Sequence, residues 1–216
     1  MKNLKLPYWL DSRLRKKFSE IYSEISVGLL DENGKLIKSH KQVCRSYTEN
    51  FLAFIYSFYA NMLVTPGYGF TAPHTADNTI FDITSTEQVI SAANFACTGP
   101  VTNASNGLVV GTGAVAPTPL TRALTSKIAN GVGAGQLSYA AQQCVSGVTV
   151  LGNVSTMKLL RTFQNLSGAQ ITVKEVGLYT SLSATHFMIL MDLLSPVYDI
   201  PIGQTLSLEL ATQITT

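Results

Sequence analysis

Charge is what this sequence has least of. Only 13% of its 216 residues are Asp, Glu, Lys or Arg, against about 25% in typical soluble domains. No carboxylate stands between Glu87 and Glu175, so chemistry that rests on paired acids cannot draw on that stretch. Cysteine is thin as well. Cys44, Cys97 and Cys144 are far apart and odd in number, which yields neither a disulfide framework nor a C-x-x-C metal spacing. Buried free thiols in a reducing compartment are the expectation. Long hydrophobic runs are missing too: the longest, Phe51 to Val64, is broken by Ser57 and Asn61 and falls short of the roughly 20 residues a membrane span needs. Met1 to Leu10 lacks the apolar run of a signal peptide. The chain is therefore read as made and used without export and off the membrane, and the sequons at Asn103, Asn153 and Asn165 as chance.

What is present describes a packed fold. Hydrophobic residues make up 46% of the chain and mean hydropathy is +0.21, a composition that excludes general disorder. A chain of this length builds a core without help from disulfides or metal. The formal net charge is +2, with ten of the fifteen Lys/Arg and six of the thirteen Asp/Glu in residues 1–50. That excess is too small to mark a nucleic-acid binder. The basic cluster Arg13, Arg15, Lys16 and Lys17 has Tyr8, Trp9 and Phe18 as neighbours. It reads first as a solvated helix face, next as a protein-binding arm, and last as a nucleic-acid contact.

The pattern changes near residue 66. Before it, residues 11–23 space Leu14, Phe18, Ile21 and Tyr22 as a short amphipathic helix or an arm. Glu24 to Leu30, the turn tetrad Asp31-Glu-Asn-Gly34 and Lys35 to Val43 read as a β-hairpin. Tyr47, Phe51, Phe54, Phe58 and Met62 then recur at helical spacing, which predicts a helix from about Arg45 to Leu63. Eight of the nineteen aromatics fall between Tyr47 and Phe70. Tyr56 and Tyr59 lie off the main stripe, so this helix is apolar nearly all round and is expected to serve as a subunit seam. After residue 66, short β candidates alternate with breakers: Thr79 to Thr84, Gln88 to Ile90, Gly107 to Gly111, Val145 to Val150, Met157 to Gln164, Gln170 to Tyr179, Phe187 to Leu194 and Thr205 to Ile214. Such a series predicts a sandwich or small barrel.

Motifs that would carry chemistry fail on inspection. Gly111-Thr-Gly113 has Ala116-Pro117 where a dinucleotide fingerprint needs its third glycine, and no Gly-Lys-Ser/Thr follows Gly131-Val-Gly-Ala-Gly135. His40 and Cys44 are four apart without a second pair, and His74 and His186 stand alone. No G-x-S-x-G is present, and Asp77, Asp82, Asp192 and Asp199 are isolated carboxylates. The reading is no enzyme, no metal and no cofactor. One charged pair is expected to matter structurally. Glu175 falls on the apolar face of Ile171 and Val173 by alternation and needs a partner, which a hairpin of Arg161 to Gln164 with Ile171 to Val176 would supply as Arg161.

Residues 109–139 (VVGTGAVAPTPLTRALTSKIANGVGAGQLSY) and 159–180 (LLRTFQNLSGAQITVKEVGLYT) resemble a pattern in structural proteins of tailed bacteriophages. There, a G-T-G loop, an A-L-x-x-x-I segment and a terminal L-x-Y precede an R-x-F-x-N-x-S-G block and an I-T-V-x-E-V-G-L-Y strand. Ser195-Pro-Val-Tyr-Asp-Ile-Pro-Ile-Gly203 with Leu206 to Leu210 resembles the closing strand, and the segment from Asp31 to Leu52 is similar to their turn and charged lead into a helix. The stretch 65–106 matches nothing in that pattern.

The resemblance implies a β-rich virion component, assembled in the host cytoplasm, whose partners are other virion proteins and copies of itself. The combined expectation is a mainly β protein. An arm, hairpin and long aromatic-rich helix in residues 1–66 form the assembly region, and a jelly-roll-like β-sandwich occupies 67–216. Tyr8, Trp9, Phe51, Tyr56 and Tyr59 are the expected interface residues. The competing readings are a carbohydrate-binding module of a phage fibre and a soluble β-sandwich enzyme.

Overall fold

Nine strands, all paired antiparallel, account for the architecture in the computed structural model, which describes residues 20–44, 46–53, 97–182 and 185–215. The strands are β1 (Glu20–Leu30), β2 (Leu36–Cys44), β3 (Gly107–Gly111), β4 (Ser138–Tyr139), β5 (Gln143–Leu151), β6 (Val154–Gln164), β7 (Ile171–Leu182), β8 (Thr185–Ile200) and β9 (Thr205–Thr215). The protein is mainly β, as its breaker-punctuated sequence predicts.

The first hairpin forms where Asp31 and Gly34 demand it. The Asp31 carboxylate accepts the amides of Asn33 and Lys35, each at 2.9 Å. Gly34 takes φ 78°, a conformation a Cβ would penalise. Strand β1 then pairs with β9 along its full length, from Glu20 with Thr215 to Leu30 with Thr205. The hairpin is thus part of the larger, six-stranded sheet, ordered β2-β1-β9-β6-β4, with β5 also on β6. β4 takes the Phe163–Gln164 end of β6 and β5 takes the rest, from Leu160 to Val154.

The smaller sheet is β3-β7-β8. Loop backbone widens it at both edges: Tyr47 bridges Leu190, and Gly111 bridges Lys127. This is why GLVVG is a continuous apolar run rather than an alternating one, since every residue of β3 is buried. Between the sheets lies a single core cluster. Ile25, Val27, Leu29, Phe163, Leu206, Leu208 and Leu210 come from the larger sheet, and Val109, Val173, Val176, Phe187, Leu190 and Tyr198 from the smaller.

Three expectations need correction. The hairpin foreseen across Asn165 to Gly168 does not form, because β6 and β7 belong to different sheets. The segment is instead a crossover braced by Asn165, whose Nδ2 donates to Ala169 O at 2.9 Å and Ile200 O at 2.7 Å. Residues 20–23 are strand, not helix or arm. The helix from Arg45 to Leu63 is not supported either. Thr48 N donates to Ile189 O and Met191 N to Ser46 O, so residues 46–48 run as an extension of the smaller sheet. Helical backbone begins at residue 49 and is described to residue 53. The periodic signal has a local cause, for Tyr47 and Phe51 stack with ring centroids 4.3 Å apart.

Candidate functional site

The expected pair of Arg161 and Glu175 separates into two sites, each closed by backbone. Arg161, on β6, is 1% exposed. Its guanidinium donates to five carbonyls: Ala140 at 2.9 Å, Asn106 at 2.9 Å, Leu108 at 2.8 Å, Pro100 at 2.8 Å and Asn103 at 2.6 Å. The rings of Tyr139 and Phe163 flank it at 4.9 and 5.9 Å. Burial lowers its pKa to about 10, which leaves it charged at neutral pH. Gly99 lies so close that a Cβ there would sit 2.6 Å from Nη1. Arginine has five N–H donors in a fixed fork, and here the loop 99–106 and the start of β3 are wound around that fork.

Glu175, on β7, is fully buried and accepts three backbone amides. Those of Gly113 and Ser126 reach Oε1 at 3.1 and 2.8 Å, and that of Thr125 reaches Oε2 at 3.1 Å. The expected pairing fails because alternation cannot be carried through the register break between Val173 and Glu175, and because β6 and β7 do not share a sheet. The G-T-G loop now has a reason. A Cβ at Gly111 would overlap the Glu175 carboxylate, and one at Gly113 would lie 2.6 Å from it.

The long loop between β3 and β4 is pinned at further points. Tyr179 Oη accepts Leu124 N at 2.8 Å, and Tyr139 Oη donates to Ile128 O at 2.7 Å. Burial raises the Tyr179 hydroxyl to about 12 and the Tyr139 hydroxyl further. Glu49 and Arg122 meet at 2.6 Å, tying the helical turn to the same loop. Gln142 clamps the other one: its Oε1 accepts Leu108 N at 2.6 Å and its Nε2 donates to Cys97 O.

Beside Gln142 an apolar cavity of about 410 Å³ opens between the sheets. Leu159, Leu178 and Leu190 line its walls and Tyr47, Phe51 and Cys97 one side. Phe51, expected at a subunit interface, is half-buried here. Tyr8, Trp9, Tyr56 and Tyr59 lie outside the described residues. No disulfide joins the cysteines. Burial, with Asp192 adding to it, pushes the Cys44 thiol far up, and burial raises that of Cys97 to about 11, so neither is a ready nucleophile. Cys144 is exposed on β5, against expectation. His40 and Cys44 share β2, and no group of three or more metal-ligating side chains gathers among the described residues. Among them no helix is long and apolar enough to cross a membrane.

No family model, curated protein or solved structure matches this chain. Function must therefore be argued from the geometry. Sequence reasoning missed Gln142, Tyr139 and Tyr179 as loop anchors. It foresaw β5 as Val145 to Val150, inside the span from Lys127 to Lys158 that holds no charged residue.

Proposed function

We propose that this chain is a non-enzymatic structural component of a tailed-phage virion, acting through contacts with other virion proteins and with copies of itself. The observation that carries the reading is the fate of the residues in the phage-like block. Arg161, Asn165, Ser167 and Glu175 are all buried, and each spends its polar atoms on the chain's own loops. Residues with acid, base or amide chemistry thus serve as loop anchors. A scaffold that holds long surface loops rigidly is what a particle subunit requires, since loops carry contacts when the framework positions them. The two sheets are read in the same spirit as a jelly-roll-like sandwich, the architecture that presents loops at its ends.

Mass spectrometry of purified particles tests this directly. The chain is expected at a fixed copy number per particle, retained through density-gradient purification. Its absence from purified infectious particles overturns the proposal.

A further inference from the structure

Among the described residues, strand β5 is a sheet edge, with β6 as its only strand neighbour. Its apolar side chains stand in solvent on the outer half of the sheet: Val148 is 71% exposed, Val150 69% and Leu151 86%. Edge strands are ordinarily blunted by charge, proline or a covering element, yet neither a charged residue nor a proline occurs between Lys127 and Lys158. The opposite edge of the same sheet is built in the ordinary way. β2 carries Lys38 and Lys41, and Gln42 ties it to β8, donating to Leu193 O at 2.8 Å and accepting Ser195 N at 3.0 Å.

We propose that β5 pairs with β5 of a second copy of this chain, antiparallel about a two-fold axis, so that two six-stranded sheets become one. The inference rests on the reading that the chain works through subunit contacts, and it names the surface. Charge selects the occupant. Like charges opposite one another oppose strand pairing, and β5 has none to set against its own copy. Symmetry sets the closure: identical strands pairing antiparallel use the same patch on both subunits and close as a dimer. Head-to-tail growth would need β5 to add to β2, whose lysines and Gln42 tie stand in the way. The pairing of β5 with β6 is irregular between Cys144 and Ser146 and between Ser146 and Thr149, then regular from Thr149 to Leu151. The contact therefore centres on residues 148–151.

The test is sedimentation equilibrium of the full chain from low to high micromolar concentration. Wild type is expected to approach twice the 23.3 kDa chain mass. Val150→Lys places like charges across the axis, and Val150→Pro removes an amide that the hairpin register turns to the open edge. Both are expected to sediment as monomers with unchanged circular dichroism and melting temperature. Val115→Lys, on the exposed loop after β3, is expected to stay dimeric. A wild type that is monomeric throughout, or a dimer that survives both β5 substitutions, overturns the pairing. Particle composition separates this from the functional reading. A monomer found in particles sinks only the β5 contact, and a β5 dimer missing from particles sinks only the virion role.

Discussion

Gly111 lies against the carboxylate of Glu175 so closely that a Cβ at Gly111 would overlap Oε1, and would also come within 2.6 Å of Ser126 O. The contact lets three amides of a surface loop converge on one buried anion. Gly111→Ala is expected to cost about 2 kcal/mol or more, because neither the backbone oxygen nor the pinned carboxylate can move aside. Gly147→Ala, where a Cβ meets nothing within 4 Å, is expected to change stability by under about 0.5 kcal/mol. Urea unfolding of the two variants checks the contrast; equal effects would refute the close-packing argument.

Glu175→Gln keeps the shape and replaces an acceptor with an NH2 donor facing amide donors. One or more of Gly113, Thr125 and Ser126 then loses its partner in a buried site. The expected loss is about 2–3 kcal/mol, read as a lower urea midpoint at constant slope. Faster amide exchange should be confined at first to the loop after β3. A variant with wild-type exchange there would show that the carboxylate does not hold the loop.

Arg161→Met fills the same space without donors and strands five carbonyls. Destabilisation on the order of 4 kcal/mol is expected, with the loop 99–106 losing protection before the strands do. Arg161→Lys retains charge but offers three donors, and should recover part of the loss. If methionine is tolerated as well as lysine, the guanidinium fork is not what organises that loop.

His186 gives stability a pH dependence. Burial, and then the charge of Lys127, lower its pKa below the usual 6.5, and its Nδ1 is buried without a hydrogen-bond partner among the described residues. Below pH 6.5 the unfolded chain binds a proton that the folded chain resists, so stability falls as pH drops through that window. His186→Asn should flatten the fall in melting temperature between pH 7 and pH 5. An unchanged slope would remove His186 as its source.

Much of the strand content was legible because burial on one face leaves alternation, as in Leu206, Leu208 and Leu210 of β9, and burial on both leaves a run, as in β3. The Asp31–Gly34 turn was legible because its chemistry is local. Partners brought together by the topology were not. Arg161 and Glu175 were recognisable as buried charges, yet their neighbours come from loops far away in the chain, and a register break defeats counting by twos. Tyr47 and Phe51 mimic a helical stripe although only one of them is in helical backbone, since stacking four residues apart needs no continuous helix. Strand β5 was legible as Val145 to Val150, whereas its place at the edge of the sheet left only missing charge as a trace.

β9 follows every other described strand in the chain, yet it lies between β1 and β6 in the middle of its sheet. A ribosome therefore delivers the central ladder last. Until residues 205–215 emerge, no described strand joins the β1–β2 and β5–β6 hairpins, and Ile25, Val27 and Leu29 wait without their neighbours on β9. Contacts so distant along the chain slow folding, and the waiting apolar strands are the surface a chaperone would hold during synthesis. The larger sheet is then joined abruptly, with completion of a single strand.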